Sequence, residues 1–484
     1  MAKWEKWTVL ACSCLLTFAH NFFSEITTPL SRRLEGDSTV CRVNSSHPDH
    51  CLDLSSTEYN GLTTAFFFAT AVTCFFADLA LKQYGQKWLL WSAGALSVIG
   101  VLIFAGGSYL ENSRAAFAVL LVGRIIYGFG NGFRTAVCGH RVNKIWKDST
   151  QIKSLFTLSA RLGSAFSFLL NGGILDTIGM SNAIWIAFGL TALSAVAAWV
   201  EGYIDTKGYS DDDDEEIFGR TLWQSIKDGL WEFRKNVDKL FWFFTIAYVV
   251  IHSLITTFTA NAPALLEDRG GYSERDAIWV IGIVYDMSLL IPLVGLIVDK
   301  TGHRDYWMTL GTIFIFSAFA AYLSSNQISA IAMTVFIGLG YAIFSPVSSA
   351  STSMVAPDKT EGFSEGLLNF LRYFTAGSFA LVAGLILDND KVEGITERMA
   401  WYYLIVALLV VSVVGALASL LMIYANHRSE KQPLTRDIKE HKKMKPMEDA
   451  EAGERTPLIS DGDSPHSSEK RDKTLSGEKS PSSA

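Results

Sequence analysis

A guanidinium sits deep in an apolar run. "SLFTLSARLGSAFSFLLNGGILD", residues 154–176, is long and apolar enough to cross a bilayer, yet it carries Arg161 about seven residues from its start. At 1.5 Å of rise per residue, that places the Cα roughly 10 Å below the end of the run, only partly within reach of headgroups by snorkelling. An ionisable side chain near the centre of a span costs roughly 2.5–3.5 kcal/mol on insertion scales, so it marks a position with a task. Two tasks fit an arginine there. It can bridge carbonyls or clamp a carboxylate between helices, or it can anchor the carboxylate of a solute, which its planar fork matches with two parallel hydrogen bonds.

Other apolar runs hold further polar groups. Glu25 lies in the first run with Asn21 one turn earlier on the same face, where a carboxylate in a dry cavity binds a cation or a proton. Asp286 in the eighth run is surrounded by apolar residues and suits a proton or an amine. Asn369 and Arg372, three apart, mirror Arg161 in the second half of the chain. Arg124 and Asn131 share a face of the fourth run, with Arg124 read as a structural and gating residue. Arg134, His140 and Arg141 fall at or beyond the end of that run and read as headgroup or loop charges. His252 with Thr256 either lines the cavity or forms a satisfied polar pair, of which the second is preferred, and Phe66, Phe67, Phe68, Phe75 and Phe76 read as lipid-facing or packing rings. There is no strand–glycine loop–helix pattern, no His/Cys metal spacing and no nucleophile elbow, so no enzymatic chemistry, metal or cofactor is expected.

These residues need membrane helices to position them. Of 484 residues, 49% are hydrophobic and only 18% charged, with a mean hydropathy of +0.25. A soluble chain of this size is nearer a quarter charged. The apolar residues fall in runs of about 20, the length a helix needs to cross roughly 30 Å of hydrocarbon. About twelve spans are expected, near 7–30, 59–81, 88–107, 115–136, 154–175, 182–201, 239–259, 277–297, 306–324, 328–348, 364–387 and 400–424. The first follows Lys3 and Lys6 but lacks a small-x-small cleavage site, so it reads as a retained helix. The net charge of −7 comes from acidic clusters in loops and tail, and no basic stripe points to nucleic acid.

Cys41 and Cys51 flank "CRVNSSHPDHC", which also holds the sequon at Asn44. A close cysteine pair beside a glycan acceptor points to an oxidising, lumenal or extracellular loop with a candidate disulfide. Cys12, Cys14, Cys74 and Cys138 read as packing residues. With that loop outside, both termini are cytosolic, and Lys82, Lys87, Arg141, Lys144, Lys147, Lys300, Arg304 and Arg428 fall on the cytosolic side. Arg32, Arg33 and Arg269 are exceptions on the other side. The expected division is a six-helix half at 1–201, an acidic cytosolic linker at 202–238 with "DDDDEE", a second half at 239–424, and a disordered tail at 425–484. The tail's Glu454, Leu458 and Ile459 fit an acidic dileucine signal read by clathrin adaptors, a pointer to endosomes or lysosomes.

The halves repeat. "GSAFSFLLNGGILD" at 163–176 resembles "GSFALVAGLILD" at 377–388, with Arg161 and Arg372 upstream at nearly equal spacing, and "DLALKQYGQK" at 78–87 occupies the place of "GLIVDKTGHR" at 295–304. Parallel six-span repeats about a midplane site are the architecture of the major facilitator superfamily, which this all-α chain resembles. "GLIVDKTGHR" resembles its cytosolic-loop signature, with Asp299, Lys300 and Arg304 as a charge latch and Gly302 for the tight turn. "RIIYGFGNG" at 124–132 resembles the signature of its fourth span.

Within the superfamily the chain resembles the lysosomal dipeptide transporters, the domain-containing protein 1 group. The likeness runs from about residue 10 to 425 and rests on "ARLGS" in span five, "VYDMSLLIPLVGLIVDKTGHR" in span eight and "VAPDKTEGFSEGLLNFLRYFTAGSFALVAGLILD" in span eleven. The resemblance implies export of dipeptides from the lysosomal lumen by alternating access, without strict proton coupling and with a glycosylated accessory subunit. It also implies that Arg161 grips the dipeptide carboxylate. One departure stands out. Where the family has Gly-Gly-Glu-Ser in span four, with a glutamate for the substrate ammonium, this chain has Asn131-Gly132-Phe133-Arg134. Either Glu25 or Asp286 replaces that carboxylate, or the substrate lacks a free amine. The competing readings are a proton-coupled carrier of organic anions and a non-transporting receptor or scaffold on the same fold.

Overall fold

The structure, a computed structural model, describes residues 3–36, 41, 51–146, 150–205, 222–324, 329–357, 360–388, 396–429 and 432–435. It divides into the units Met1–Ile438 and Lys439–Ala484, and everything below concerns the first. The sequon at Asn44, the "DDDDEE" run and the expected tail signal at Glu454, Leu458 and Ile459 lie outside the described residues.

Fourteen α-helices follow in order among the described residues: α1 Lys3–Ser24, α2 Ser31–Glu35, α3 Ser56–Gly107, α4 Ser113–Ile145, α5 Thr150–Ile178, α6 Met180–Asp205, α7 Leu222–Asn236, α8 Lys239–Gly270, α9 Glu274–Asp286, α10 Ile291–Thr301, α11 Arg304–Ser324, α12 Ala330–Val355, α13 Glu361–Leu387 and α14 Glu397–Arg428. Local chemistry sets several boundaries. Ser55 caps α3 in a reciprocal box with Glu58, and Asn112 caps α4 by accepting from Arg114 and Ala115. Gly85, at φ 75° and ψ 164°, breaks α3 into the spans Ser56–Ala77 and Gln83–Gly107. Pro292 has no N–H to give, and its ring crowds the carbonyl four residues back, so a 3₁₀ turn at Met287–Leu290 splits the eighth span into α9 and α10.

Eleven segments among the described residues are long and apolar enough to cross a membrane. α5 is not one of them, although it holds the fifth place and is 29 residues long. Lys153, Arg161, Asp176 and its many hydroxyls lower its hydropathy, and it packs against α1 and α9 as the twelfth span. α7 is an addition to the expected linker. It is amphipathic, and its Phe233 packs on Phe241 and on Phe363 of α13.

The halves meet along two seams, α3 against α13 and α5 against α9 and α10. Rings fill the first: Phe67 stacks on Tyr373, Phe68 on Phe374, and Phe75 meets Phe363 and Phe370 edge-on. At the end bearing the Cys41–Cys51 disulfide, charges join the halves. Arg32 pairs with Glu267 and Asp268, and Arg33 with Glu274 at 3.1 Å. Asp388, at the end of α13, accepts from the backbone N–H groups of Ser56 and Thr57 at 3.1 and 2.8 Å. Those are unsatisfied donors of the first turn of α3, so a carboxylate of one half caps a helix of the other.

Two sequence expectations change. α4 continues to Ile145, past the expected limit at 136, so Arg134 and Arg141 are buried rather than placed at headgroups. Arg134 donates to Asn131, Thr17 and Thr135. Arg141 faces Glu201 at 3.5 Å, and Glu201 also accepts from Ser13 at 2.8 Å. A buried acid drawn from a distant helix is what holds Arg141 in the core.

Candidate functional site

The first span does not run helically to Leu30. α1 ends at Ser24, and residues 25–30 form turns before α2. Pro29 explains the position: an interior proline removes one helical bond and clashes with the carbonyl four residues earlier, which is that of Glu25. Glu25 therefore sits at the break. The exposed helix end is held by Arg124 of α4, which donates to the Ser24 carbonyl at 3.2 Å and to Thr27 Oγ1 at 2.6 Å. Its guanidinium also lies 5.2 Å from the ring centres of both Phe23 and Phe104. A cation at a helix C-terminus is favourable, so Arg124 stabilises the broken span rather than waiting for a ligand.

Arg161 is carried by α5 where that helix crosses α1 at close range. A Cβ on Gly163 would collide with the Phe18 carbonyl oxygen, so only glycine permits the approach. The arginine crosses to the other half: Nη2 donates to Ser345 Oγ of α12 at 2.8 Å, and the guanidinium lies 4.5 Å from the Tyr341 ring centre. Its Nε is buried without a hydrogen-bond partner. Glu25 also faces the second half. It interacts with the Tyr285 hydroxyl of α9 and electrostatically with Arg161 and Arg124. Tyr285 is set in place by stacking on Phe168 at 5.3 Å and by a 3.2 Å bond with Thr259.

Arg372 of α13 completes the layer. Nη1 donates to the Tyr248 hydroxyl of α8 at 2.8 Å, and the guanidinium lies 4.2 Å from the Tyr373 ring centre. His252 stands between the two arginines, its ring 6.2 Å from Tyr248 and 6.1 Å from Tyr341. Thr256 bonds the backbone carbonyl of His252 rather than its ring, so the expected side-chain pair does not form. Asn369 is half-buried on the helix that carries Arg372. Asp286 is exposed, and the structure does not bring it to this cluster. Of the two acidic candidates, Glu25 is the one within electrostatic reach of Arg161.

The cluster thus offers two guanidinium forks, one carboxylate, an imidazole and four phenols, divided between the halves. Tyr248, Tyr285, Tyr341, Tyr373 and Ser345 were not singled out from the sequence. The i, i+4 placement of Tyr248 and His252 on one helix is the signal that marks them. The loop at 299–304 lies elsewhere. Arg304 is buried and pairs with Asp299 at 3.3 Å, while its backbone N–H donates to Leu434 beyond α14. Gly302 takes φ 65°, and Lys300 is exposed. Asp299, His303 and Arg304 thereby tie the ends of α10 and α11 to each other and to the segment after α14.

Comparison with known proteins follows the same lines. The family model described as Major Facilitator Superfamily matches residues 10–288 and 273–460. The protein named lysosomal dipeptide transporter MFSD1 from Homo sapiens is 22% identical over 402 residues, spanning 79% of this chain and 80% of the relative. Its Bos taurus namesake is 22% identical over 452 residues, spanning 90% and 89%. Among solved structures, a D-xylose-proton symporter matches with a TM-score of 0.61 at 16% identity, over 86% of this chain and 97% of its own. The nucleoside transporter NupG matches at 0.63 and 12% identity, over 86% and 99%. The two structural likenesses concern the fold alone.

Proposed function

The chain belongs to the major facilitator superfamily and is a membrane transporter rather than an enzyme; on that footing, we propose that it carries dipeptides or related small amino-acid-derived solutes out of the lysosome by alternating access. The observation that carries this reading is that Arg161 and Glu25, a guanidinium and a carboxyl group of the first half, lie within electrostatic reach of one another and both face hydroxyls of the second. A zwitterion presents the complementary charges. Its carboxylate takes the Arg161 fork in place of Ser345, and its ammonium takes Glu25 in place of the neutral phenol of Tyr285. Each exchange replaces a neutral partner by a charged one, and charge-assisted bonds are roughly twice as strong as neutral ones. Because the partners given up belong to the other half, binding changes what holds the halves together, which is the coupling that alternating access requires.

The remaining parts take their places in this scheme. Both termini face the cytosol and the disulfide-bearing end faces the lumen, with a glycan at Asn44. The cluster at Asp299, Lys300, Gly302 and Arg304 serves the cytosolic gate, Arg124 has its gating role at the broken far end of the first span, and Asn369 and Arg372 line the second wall. The tail signal engages a clathrin adaptor, and a glycosylated accessory subunit protects the lumenal face.

Arg161→Ala is expected to abolish uptake of dipeptides into proteoliposomes while leaving folding and lysosomal targeting intact. Normal transport by that variant overturns the reading. The excess of arginines over carboxylates in the central layer favours a second reading, proton-coupled carriage of organic anions, for which flux would follow an imposed pH gradient.

A further inference from the structure

We infer that Arg372 is a specificity-determining residue that receives a second anionic group of the cargo, so that the preferred solute is a dipeptide with an acidic side chain. The inference rests on the proposed function and adds the class of dipeptide.

Among the arginines within the spans, Arg124 and Arg134 are buried while Arg161 and Arg372 are half-buried, and their hydrogen bonds sort them. Arg134 makes four bonds to three neighbours and Arg124 makes two while sandwiched by rings, so both are used up by the fold. Arg161 and Arg372 are alike and different from those. Each makes a single side-chain bond, to a hydroxyl of the second half, each stands over a tyrosine ring, and each has a buried Nε with no partner. A guanidinium carries five donors, so both forks are left largely open. Among the described residues no carboxylate lies within ion-pair distance of Arg372.

The repeat gives independent support. Arg161 stands fifteen residues before Asp176 and Arg372 sixteen before Asp388, at the close of the matching segments of spans five and eleven. One half's anion site is therefore duplicated in the other. A chain of ring contacts links the two arginines: Arg161 stands over Tyr341, the His252 ring lies 6.1 Å from Tyr341 and 6.2 Å from Tyr248, and Tyr248 accepts from Arg372.

Charge arithmetic then selects the cargo. The layer holds two guanidiniums and one carboxylate, Glu25. A neutral dipeptide satisfies Arg161 and Glu25 and leaves Arg372 facing a dry site without a counter-charge, which is unfavourable. A dipeptide with one acidic side chain brings two carboxylates and one ammonium, and all three protein charges are matched.

The test uses the full-length purified protein at pH 7, with thermal stabilisation by Ala-Glu, Ala-Gln and Ala-Ala titrated separately, since a ligand of the native state raises its apparent stability. Ala-Glu is expected to act at roughly tenfold lower concentration than its neutral isostere Ala-Gln. Arg372→Gln should erase that gap while still responding to Ala-Ala, and Arg161→Gln should respond to none of the three. Equal potency of Ala-Glu and Ala-Gln on the unmodified protein overturns the inference without recourse to any variant that fails to fold. So does a gap that survives in Arg372→Gln, or equal loss of all three ligands in a variant of unchanged melting temperature. A response to the neutral dipeptides with no acidic preference leaves the proposed function standing and removes only this inference. Silence toward all three removes both.

Discussion

At the scale of single residues, burial of charge is the governing fact. Arg141 and Glu201 are 2% and 0% exposed in their side chains and face one another at 3.5 Å. Removing one member of such a pair is strongly destabilising because the other remains in a medium that cannot solvate it. Glu201→Gln is therefore expected to destabilise the protein by about 3 kcal/mol, seen as a fall in melting temperature in detergent. Replacing both residues with Met should recover much of the loss. A double variant as unstable as the single one would show that Glu201 acts through Ser13 instead. Arg161 is read differently because its partner, Ser345, is neutral and belongs to the opposite half.

Between helices, close approach matters more than charge. The sequence marks Gly163 only as a small residue two positions after Arg161, whereas the crossing of α5 over α1 at Phe18 explains why it is small. Gly163→Val should push the two helices apart, move Arg161 off its hydroxyl and abolish transport, with a lower melting temperature. Gly173, ten residues on in the same helix, has open space where a Cβ would stand. Gly173→Ala should leave transport intact and stabilise slightly, by about 0.4–1 kcal/mol. If both variants transport normally, the close crossing is not what positions the arginine. The break at Glu25 has the same character: Pro29 is visible in the sequence, but that its effect lands on Glu25 follows from the i−4 geometry of the helix.

Across the whole molecule, the end that carries the disulfide is joined by carboxylates and arginines from both halves, and one acid there is poised to titrate. Burial raises the Glu35 carboxyl to about 7 from its ordinary 4.5, a bond from Ser56 and the charge of Arg32 partly offset this, and Asp268 and Asp388 add to the rise. A raised acid means that the joined end binds a proton that a separated, hydrated end would release. Between about pH 4.5 and 7, acidification therefore strengthens the joined end, and the contribution is lost as pH rises through 7. Hydrogen-exchange protection at residues 31–35 and 56–58, taken relative to the intrinsic rate at each pH, should rise on moving from pH 7.5 to pH 5, and Glu35→Gln should flatten that dependence. Lower protection at pH 5 in the unmodified protein would give the ion pairs at Arg32 and Arg33 control of this end, since they need their carboxylates charged.

The sequence by itself determined the class of molecule. The length of its apolar runs, their number and the doubled pattern around Arg161 and Arg372 dictate two bundles of membrane helices, because hydrocarbon admits only backbones that satisfy their own hydrogen bonds. It also determined which polar residues were worth watching, because a charge inside such a run is costly wherever it points. Which of them meet was decided by tertiary structure alone. Arg141 found Glu201 sixty residues away, Arg124 went to the broken end of α1, Asp286 turned outward, and Glu25 came to face Arg161 and Tyr285. Helical periodicity fixes the face on which a side chain stands but not the helix that face will meet, and that choice belongs to the packing of one bundle against the other.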